Sequence, residues 1–358
     1  MAITGDLSSM TTTEISVPDF IVNSKSLDVD NTNGETYWYF SDAAQNIGYY
    51  SEIPEIASAV NSLATWAFGK GWVAEDDETT QELEHVSGRG NDTFQNVMWN
   101  HEVMKLVVGD AFMEIVWEDN DNTKSIANLL PISPERVKIV SKNGRIKRYE
   151  VWNGGKWKTI KVENMYHSSN KRIGDQIHGT SQIDAAKWVI DARNEALITN
   201  RIIEKRGRAL GIVYYKTSNT GKIQYANEQI EKAVKNGQMV GMPEGTAEIK
   251  DFPSKPLSER MDWIRYLENF FYQIFGVPRS IATSDGTSEV GGINGHLIFE
   301  PVYGKEQVDE EANLWNQLFR KVTFNRPPSL APKTQENAEA NTGQTSIQPA
   351  EVEPMLNR

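Results

Sequence analysis

The residue types that carry most hydrolytic, redox and metal chemistry are sparse in this chain and poorly spaced for it. Its five histidines, His85, His101, His167, His178 and His296, form no His-x-x-x-His pair and no His-Glu-x-x-His helix, so a histidine-held metal is not expected. The absence of cysteine removes disulfides, thiolate metal sites and cysteine nucleophiles together, and suits a reducing cytoplasm. No Gly-x-Gly-x-x-Gly and no Gly-x-x-x-x-Gly-Lys-Ser/Thr loop is present to cradle a nucleotide phosphate. The carboxylate pairs Glu52/Glu55 and Glu310/Glu311 could do acid–base work. At helix starts or on polar helix faces such residues instead complement the helix dipole or solvate the surface. Asp119-Asn120-Asp121-Asn122 resembles part of a calcium loop but lacks its glycine and closing glutamate, and reads as a hairpin tip. His101 is expected as a partly buried, hydrogen-bonded imidazole and His167 as a surface residue at a strand end. These observations predict no catalytic residue and no cofactor.

The elements that must position these residues come from a chain of 358 residues with 37 basic and 49 acidic side chains, a net charge of −12. A dedicated duplex-DNA binder clusters Lys and Arg and is usually basic overall, so any contact with nucleic acid here must be local or loose. The length predicts two or three structural units. The hydrophobic share of 39% argues against a large dry core. Met1 to Ser16 has neither the basic start nor the apolar block of a signal peptide, and no apolar run approaches the roughly 18–20 residues of a membrane helix, so a soluble protein is expected.

Along the chain, Met1 to Glu35 is rich in Ser, Thr, Asn and Asp and reads as an arm that lies over a surface or stays mobile until something holds it. Arg326 to Arg358, punctuated by Pro327, Pro328, Pro332, Pro349 and Pro354, reads as a disordered tail. Helical spacing of apolar residues predicts helices over Pro54–Phe68, from about Asn91 or Asp92 to Gly109, from Gly179 to Arg206, over Ser258–Phe275, and from about Leu297 to Val322 with a bend at Pro301. Alternation predicts strands over Asp110–Glu118 and in the hairpin Ile146–Trp152/Lys156–Val162 around Asn153-Gly154-Gly155. Arg208 to Phe252 reads strand, helix, strand, and Ser284–Gly295 reads as a loop. The fold class predicted is α+β.

Five stretches, in this order, resemble the portal proteins of tailed bacteriophages. They are Gly109-Asp110-Ala111-Phe112-Met113-Glu114-Ile115 after a helix, Leu130-Pro131-Ile132-Ser133-Pro134-Glu135-Arg136-Val137, and Tyr166-His167 before Gly179-Thr180-Ser181. Phe275-Gly276-Val277-Pro278 closing a helix, and a Gly-rich loop before the long final helix, complete the set. The resemblance covers roughly Tyr37 to Lys321. It implies a flexible arm over 1–36, a wing over 37–179, stem helices over 180–207 and 257–276, and a small α/β clip over 208–256. A tunnel-loop region over 277–295, a helix towards the crown over 296–325 and a tail over 326–358 would follow, the crown being short or absent.

The function so implied is a non-enzymatic ring of twelve copies at the unique capsid vertex, a channel for packaging and ejecting double-stranded DNA. Its implied partners are further copies of itself, the major capsid protein, the terminase large subunit and a head–tail adaptor, with no membrane. It would be assembled in the host cytoplasm and end in the virion. Twelve helices at about 10 Å spacing enclose a bore of roughly 28 Å, wide enough for a duplex. Such a ring would carry 12 × (−12) = −144 charges, repelling phosphates so that DNA slides without sticking. In this layout Ser284, Asp285, Gly286, Thr287, Ser288, Glu289, Val290, Gly291, Gly292, Ile293 and Asn294 form the tunnel loop. It has no Lys or Arg and would touch DNA through flexible, backbone-rich contacts. Glu228, Glu231 and Lys232 would be exposed partner-binding residues of the clip. Two other readings stand beside this one: a nucleic-acid or glycan hydrolase using a carboxylate pair, and another phage ring or adaptor protein.

Overall fold

In a computed structural model, residues 29–328 are described except 33, 121–122, 207–210, 217, 237–246, 252–256 and 284–288. β1 (Val29–Thr32) pairs antiparallel with β2 (Glu35–Trp38), so the end of the expected arm is sheet, with Val29 opposite Trp38. α1 (Ala43–Glu52) follows, then α2 (Pro54–Phe68), which starts on a proline whose missing N–H costs nothing in a first turn. α2 buries Ile56, Ala59, Val60, Leu63, Ala64 and Ala67, the residues whose spacing predicts it. β3 (Trp72–Ala74) leads to α3 (Asp77–Glu84), capped by Asp76 accepting the Thr79 N–H at 2.6 Å. α4 (Phe94–Val108) is capped by the Thr93 hydroxyl, which accepts the Asn96 N–H at 3.2 Å; neither Asn91 nor Asp92 does this.

Six strands come next: β4 (Asp110–Asn120), β5 (Thr123–Ile132), β6 (Val137–Lys142), β7 (Arg145–Trp152), β8 (Trp157–Lys161) and β9 (Met165–Ser169). They form two antiparallel sheets, β5-β4-β9 and β1-β2-β6-β7-β8. The period of two along a strand sorts the side chains of the smaller sheet. Phe112, Ile132 and Met165 face the larger sheet, packing with Ile139, Tyr149 and Ile160. Met113, Ile115, Leu129 and Tyr166 face the helices. β6 and β7 are joined by Asn143-Gly144, both at positive φ (53° and 73°), the two-residue turn whose twist suits a hairpin.

A 3-10 turn at Ile183–Ala186 opens α5 (Lys187–Arg206). β10 (Gly211–Tyr215), α6 (Thr220–Asn236) and β11 (Ala247–Asp251) form the small α/β unit expected there, β10 and β11 pairing antiparallel. α7 (Leu257–Phe275) packs on α5 and α2. It ends in a left-handed glycine, Gly276 at φ +66°, with Val277 N–H donating to the Tyr272 carbonyl at 2.9 Å. A short α8 (Arg279–Ala282) precedes α9 (Glu289–Leu318), and β12 (Val322–Phe324) pairs back on β3.

α9 starts earlier than its composition suggests. Glu289, Val290, Gly291, Gly292, Ile293 and Asn294 are helical, not loop, while Ser284, Asp285, Gly286, Thr287 and Ser288 lie outside the described residues. Two glycines cost roughly 1 kcal/mol each in a helix, which is why the segment reads as loop. A third one shows what outweighs propensity. Gly295 sits where α8 crosses α9, and a Cβ there would overlap the Ser280 hydroxyl.

Candidate functional site: a helix junction, a buried ionic centre and an exposed aromatic strip

Two of the glycine motifs meet in space. Gly109 ends α4 at φ +101°, and its carbonyl accepts the Asn170 N–H at 2.8 Å. Thr180 N–H donates to the Asn170 carbonyl at 2.7 Å, and Gln182 N–H to the Leu106 carbonyl at 3.1 Å, the latter satisfying an orphan acceptor of the last turn of α4. Ser181, buried, receives Asn46 Nδ2 of α1 at 3.1 Å. The start of α5 is thereby fastened to α1, α4 and the end of β9 by backbone bonds, where only glycine leaves room at 109 and 179.

Asp110 lies in the same knot. His167 Nε2 donates to its Oδ1 at 2.7 Å, and His178 Nδ1 and the Gly179 N–H reach its Oδ2 at 3.3 and 2.9 Å. Burial would push this carboxyl up, but the hydrogen bonds from both imidazoles hold it down at about 2. With Nε2 donating, His167 Nδ1 accepts the Tyr149 hydroxyl at 3.1 Å. Ser169 joins the same Nε2, at 3.1 Å. The serine hydroxyl and the acid share one ring nitrogen, and the hydroxyl on the other belongs to the buried Tyr149, so the cluster presents no exposed nucleophile and reads as a structural clasp. His167 is buried between the two sheets, stacked on Phe112 with centroids 4.5 Å apart, against the expectation of a surface residue. A strand end looks exposed in sequence, and the packing of a second sheet on it is not visible there.

Glu310 is a second correction. In place of a solvated helix face it occupies a site with no exposed surface, where its Oε2 accepts Ser168 Oγ and Asn313 Nδ2, each at 2.9 Å, and the Tyr166 hydroxyl at 3.1 Å. Its Oε1 faces His101 Nε2 at 3.4 Å. One turn away on each helix, Lys105 of α4 bridges Glu102 at 2.6 Å and Glu306 of α9 at 2.9 Å. Burial works against the Lys105 charge, but Glu102, Glu310 and Glu306 more than offset it and hold its pKa above the ordinary value. Burial also pushes Glu102 above the usual carboxylate range, whereas Glu310, drawn by Lys105, His101 and its hydrogen bonds, stays below it. The partner of the pair, Glu311, instead accepts the Phe324 N–H at 2.8 Å and pins β12. Glu55 of the other carboxylate pair bridges Arg193 of α5 at 2.5 Å. Neither pair converges on a shared substrate position.

His101 is fully buried rather than partly so, and desolvation pushes its pKa down to about 4, the Glu310 carboxylate offsetting only part of this. A histidine with a depressed folded pKa contributes stability that is complete above its unfolded value of 6.5 and lost as the pH falls towards 4. Glu102, whose folded pKa is raised, acts with the opposite sign over much of this range, so the wild type alone shows a muted response. The difference between wild type and His101→Gln isolates the imidazole. Chemical denaturation at pH 7 and 4.5 should show the wild type losing about 2–3 kcal/mol relative to the variant, and a pH-independent difference would refute the assignment.

The exposed faces of α5 and α7 carry large apolar side chains among their polar ones. Trp188 of α5 meets Phe270 of α7 at 5.6 Å, Phe270 meets Tyr266 at 5.2 Å, and Tyr266 stacks on Trp263 at 5.6 Å. Trp188, Trp263 and Tyr266 are 49%, 52% and 54% exposed, and Ile198 and Ile202 of α5 are open to solvent as well. On α6, Glu228, Glu231 and Lys232 are exposed, as expected of them. Among the described residues no group of His, Asp and Glu is arranged to hold a metal, and no helix is long and apolar enough to cross a membrane.

Several solved structures share this architecture. A chain in the virion of a native gene transfer agent particle superposes with a TM-score of 0.60 at 14% identity, over 86% of this chain and 91% of that one. A chain in the neck of the native particle, computed with C12 symmetry, gives 0.60 at 15% identity over 86% and 92%. An HK97-family phage portal protein from Corynebacterium diphtheriae gives 0.54 at 14% identity, over 85% of this chain and 98% of that one. No protein-family model and no curated protein matches the chain. The class defined is a mixed helix-and-strand fold shared with chains of virion particles. More particularly, the chain has the fold of a phage portal protein.

Proposed function

We propose that the chain is a portal subunit. Twelve copies form a ring at one capsid vertex, where the ring passes double-stranded DNA during packaging and ejection and docks the terminase large subunit, a head–tail adaptor and the major capsid protein. It makes and breaks no bonds. Residues 37–179 would be its wing, α5 and α7 its stem, β10–α6–β11 its clip, and residues 284–294 its DNA-facing tunnel segment, of which Glu289–Asn294 are the first turns of α9. The role lies in shape and surface, consistent with buried ionic groups that serve packing and carboxylate pairs that do not converge.

The observation that carries this reading is the aromatic strip on α5 and α7. Large exposed apolar patches mark interaction surfaces, and Trp and Tyr are favoured anchors in them. In a head-to-tail ring the strip of one copy is covered by a different face of the next. The double variant Trp263→Glu/Tyr266→Glu should remain folded, because both side chains are half exposed, yet run as a monomer in light scattering where the wild type runs as a large oligomer. Unchanged assembly would remove the strip from the interface. Charge reversal at Glu228 and Lys232 should leave ring size unaltered and weaken terminase or adaptor binding by about tenfold or more; loss of rings in that variant would contradict the clip assignment.

A further inference from the structure

A cleft of about 470 Å³ opens between α1, α4 and the β4–β5 pair, and no part of the portal reading uses it. Its lining is mostly apolar, with Ala44 and Ile47 from α1, Met104 from α4, and Phe112 and Ile132 from the sheet. Arg89, Asn100, Ser133 and Glu135 supply polar groups, and His101 is the buried one. This imidazole is 2% exposed; its Nδ1 has no hydrogen-bond partner and its Nε2 only approaches Glu310 Oε1 at 3.4 Å. A buried ring with an idle polar atom on an apolar wall suits an occupant that is chiefly hydrophobic and brings a backbone polar group with it.

The fold brings a segment of that chemistry close by. The described chain begins at Val29, paired with Trp38. From Trp38, ring contacts run through His178 (5.4 Å) and Phe40 (4.3 Å) to Phe112 (5.4 Å), which lines the cleft. Residues 1–28 lie outside the described residues. Phe20 is their only aromatic, and it heads the run Phe20-Ile21-Val22 in a stretch otherwise dominated by Ser, Thr and Asp. Asn23 to Asp28 is six residues, able to span about 20 Å when extended, a reach comparable with the three ring-to-ring steps from Trp38 to Phe112. Asp19 would then come to the rim, where Arg89 is fixed by donating to the Pro131 carbonyl at 2.6 Å.

We propose that residues 17–22 dock in this cleft of their own chain, with Phe20 on its floor beside His101 and Asp19 at Arg89. The segment then holds α1 against α4, at the place where α1 grips the start of α5 through Asn46. Nothing in this depends on ring formation.

The chain has no cysteine, so an engineered pair reports without background. In the full chain carrying Phe20→Cys and Ala44→Cys, oxidation should give an intrachain disulfide, identified by mass spectrometry of the bridged peptide, at least tenfold faster than in Ser9→Cys/Ala44→Cys. Equal rates for the two pairs, or a bridge formed between chains, would overturn the proposal. A second measurement covers the case in which cysteine disturbs folding. Hydrogen exchange of the α1 amides should speed at least tenfold in Phe20→Ala, and unchanged exchange would overturn it equally.

Discussion

Replacing Lys105 by methionine is expected to destabilise the protein by about 3–5 kcal/mol, among the largest effects of any single side chain in it. Methionine keeps the length and apolar character of the stem, so the change removes little packing. What it removes is the positive charge that bridges Glu102 and Glu306, in a site where Lys105 is 3% exposed and Glu102 not exposed at all. The carboxylates left behind must take up protons or remain as uncompensated buried charges, and either course raises the free energy of the folded state alone. The loss should therefore be largest at high pH and shrink as the pH falls and Glu102, whose pKa burial raises, protonates. Denaturation midpoints across pH 5–9 check both magnitude and trend. A loss below about 1 kcal/mol would mean that water reaches the pair.

Gly179→Ala should be comparably severe for a purely steric reason. A Cβ at this position would overlap the Gly109 carbonyl oxygen and lie 2.6 Å from both the N and the O of Asn170, all backbone atoms with no rotamer to yield. Relief requires separating the start of α5 from the end of α4, breaking the Asn170–Gly109 and Thr180–Asn170 bonds and loosening the Gly179 N–H from Asp110. The cost is about 3 kcal/mol or more. Because the defect lies where α5 leaves the body of the molecule, assembly should fail before global unfolding does. Circular dichroism should retain most helix while sedimentation shows loss of the large species. Normal assembly with a midpoint shift under 1 kcal/mol would contradict the geometry.

How far these features can be read from residues alone depends on what each element packs against. α2 is legible because its apolar positions repeat along one face, and β4 because it alternates between two buried sides. The β7–β8 hairpin is legible from Asn153-Gly154-Gly155, and the β6–β7 hairpin beside it carries an equally strong short-range signal, Asn143-Gly144, that marks β6. The start of α9 was hidden by Gly291 and Gly292, whose low propensity is outweighed by packing against α8. The ionic centre left one trace: Lys105 inside Val103-Met104-Lys105-Leu106-Val107-Val108, a charge where helical spacing demands burial. Its partners could have been sought at the same four-residue spacing: Glu306 and Glu310 on α9 meet Lys105 and His101 on α4, respectively. Asp309-Glu310-Glu311 reads as a solvated acidic run only while the helix facing it is unknown. His167 is the plainest loss, since the side chains that bury it, Phe112 and Tyr149, come from strands 55 and 18 positions away, by 167 − 112 and 167 − 149.

In the proposed ring, identical chains close side by side around an open axis through the strip formed by Trp188, Trp263 and Tyr266. Electron microscopy of the purified full chain tests this most directly. The predicted result is a population of rings with a central hole wide enough for duplex DNA and twelvefold symmetry in the class averages. Isolated particles of about 40.4 kDa at every concentration tried would contradict it.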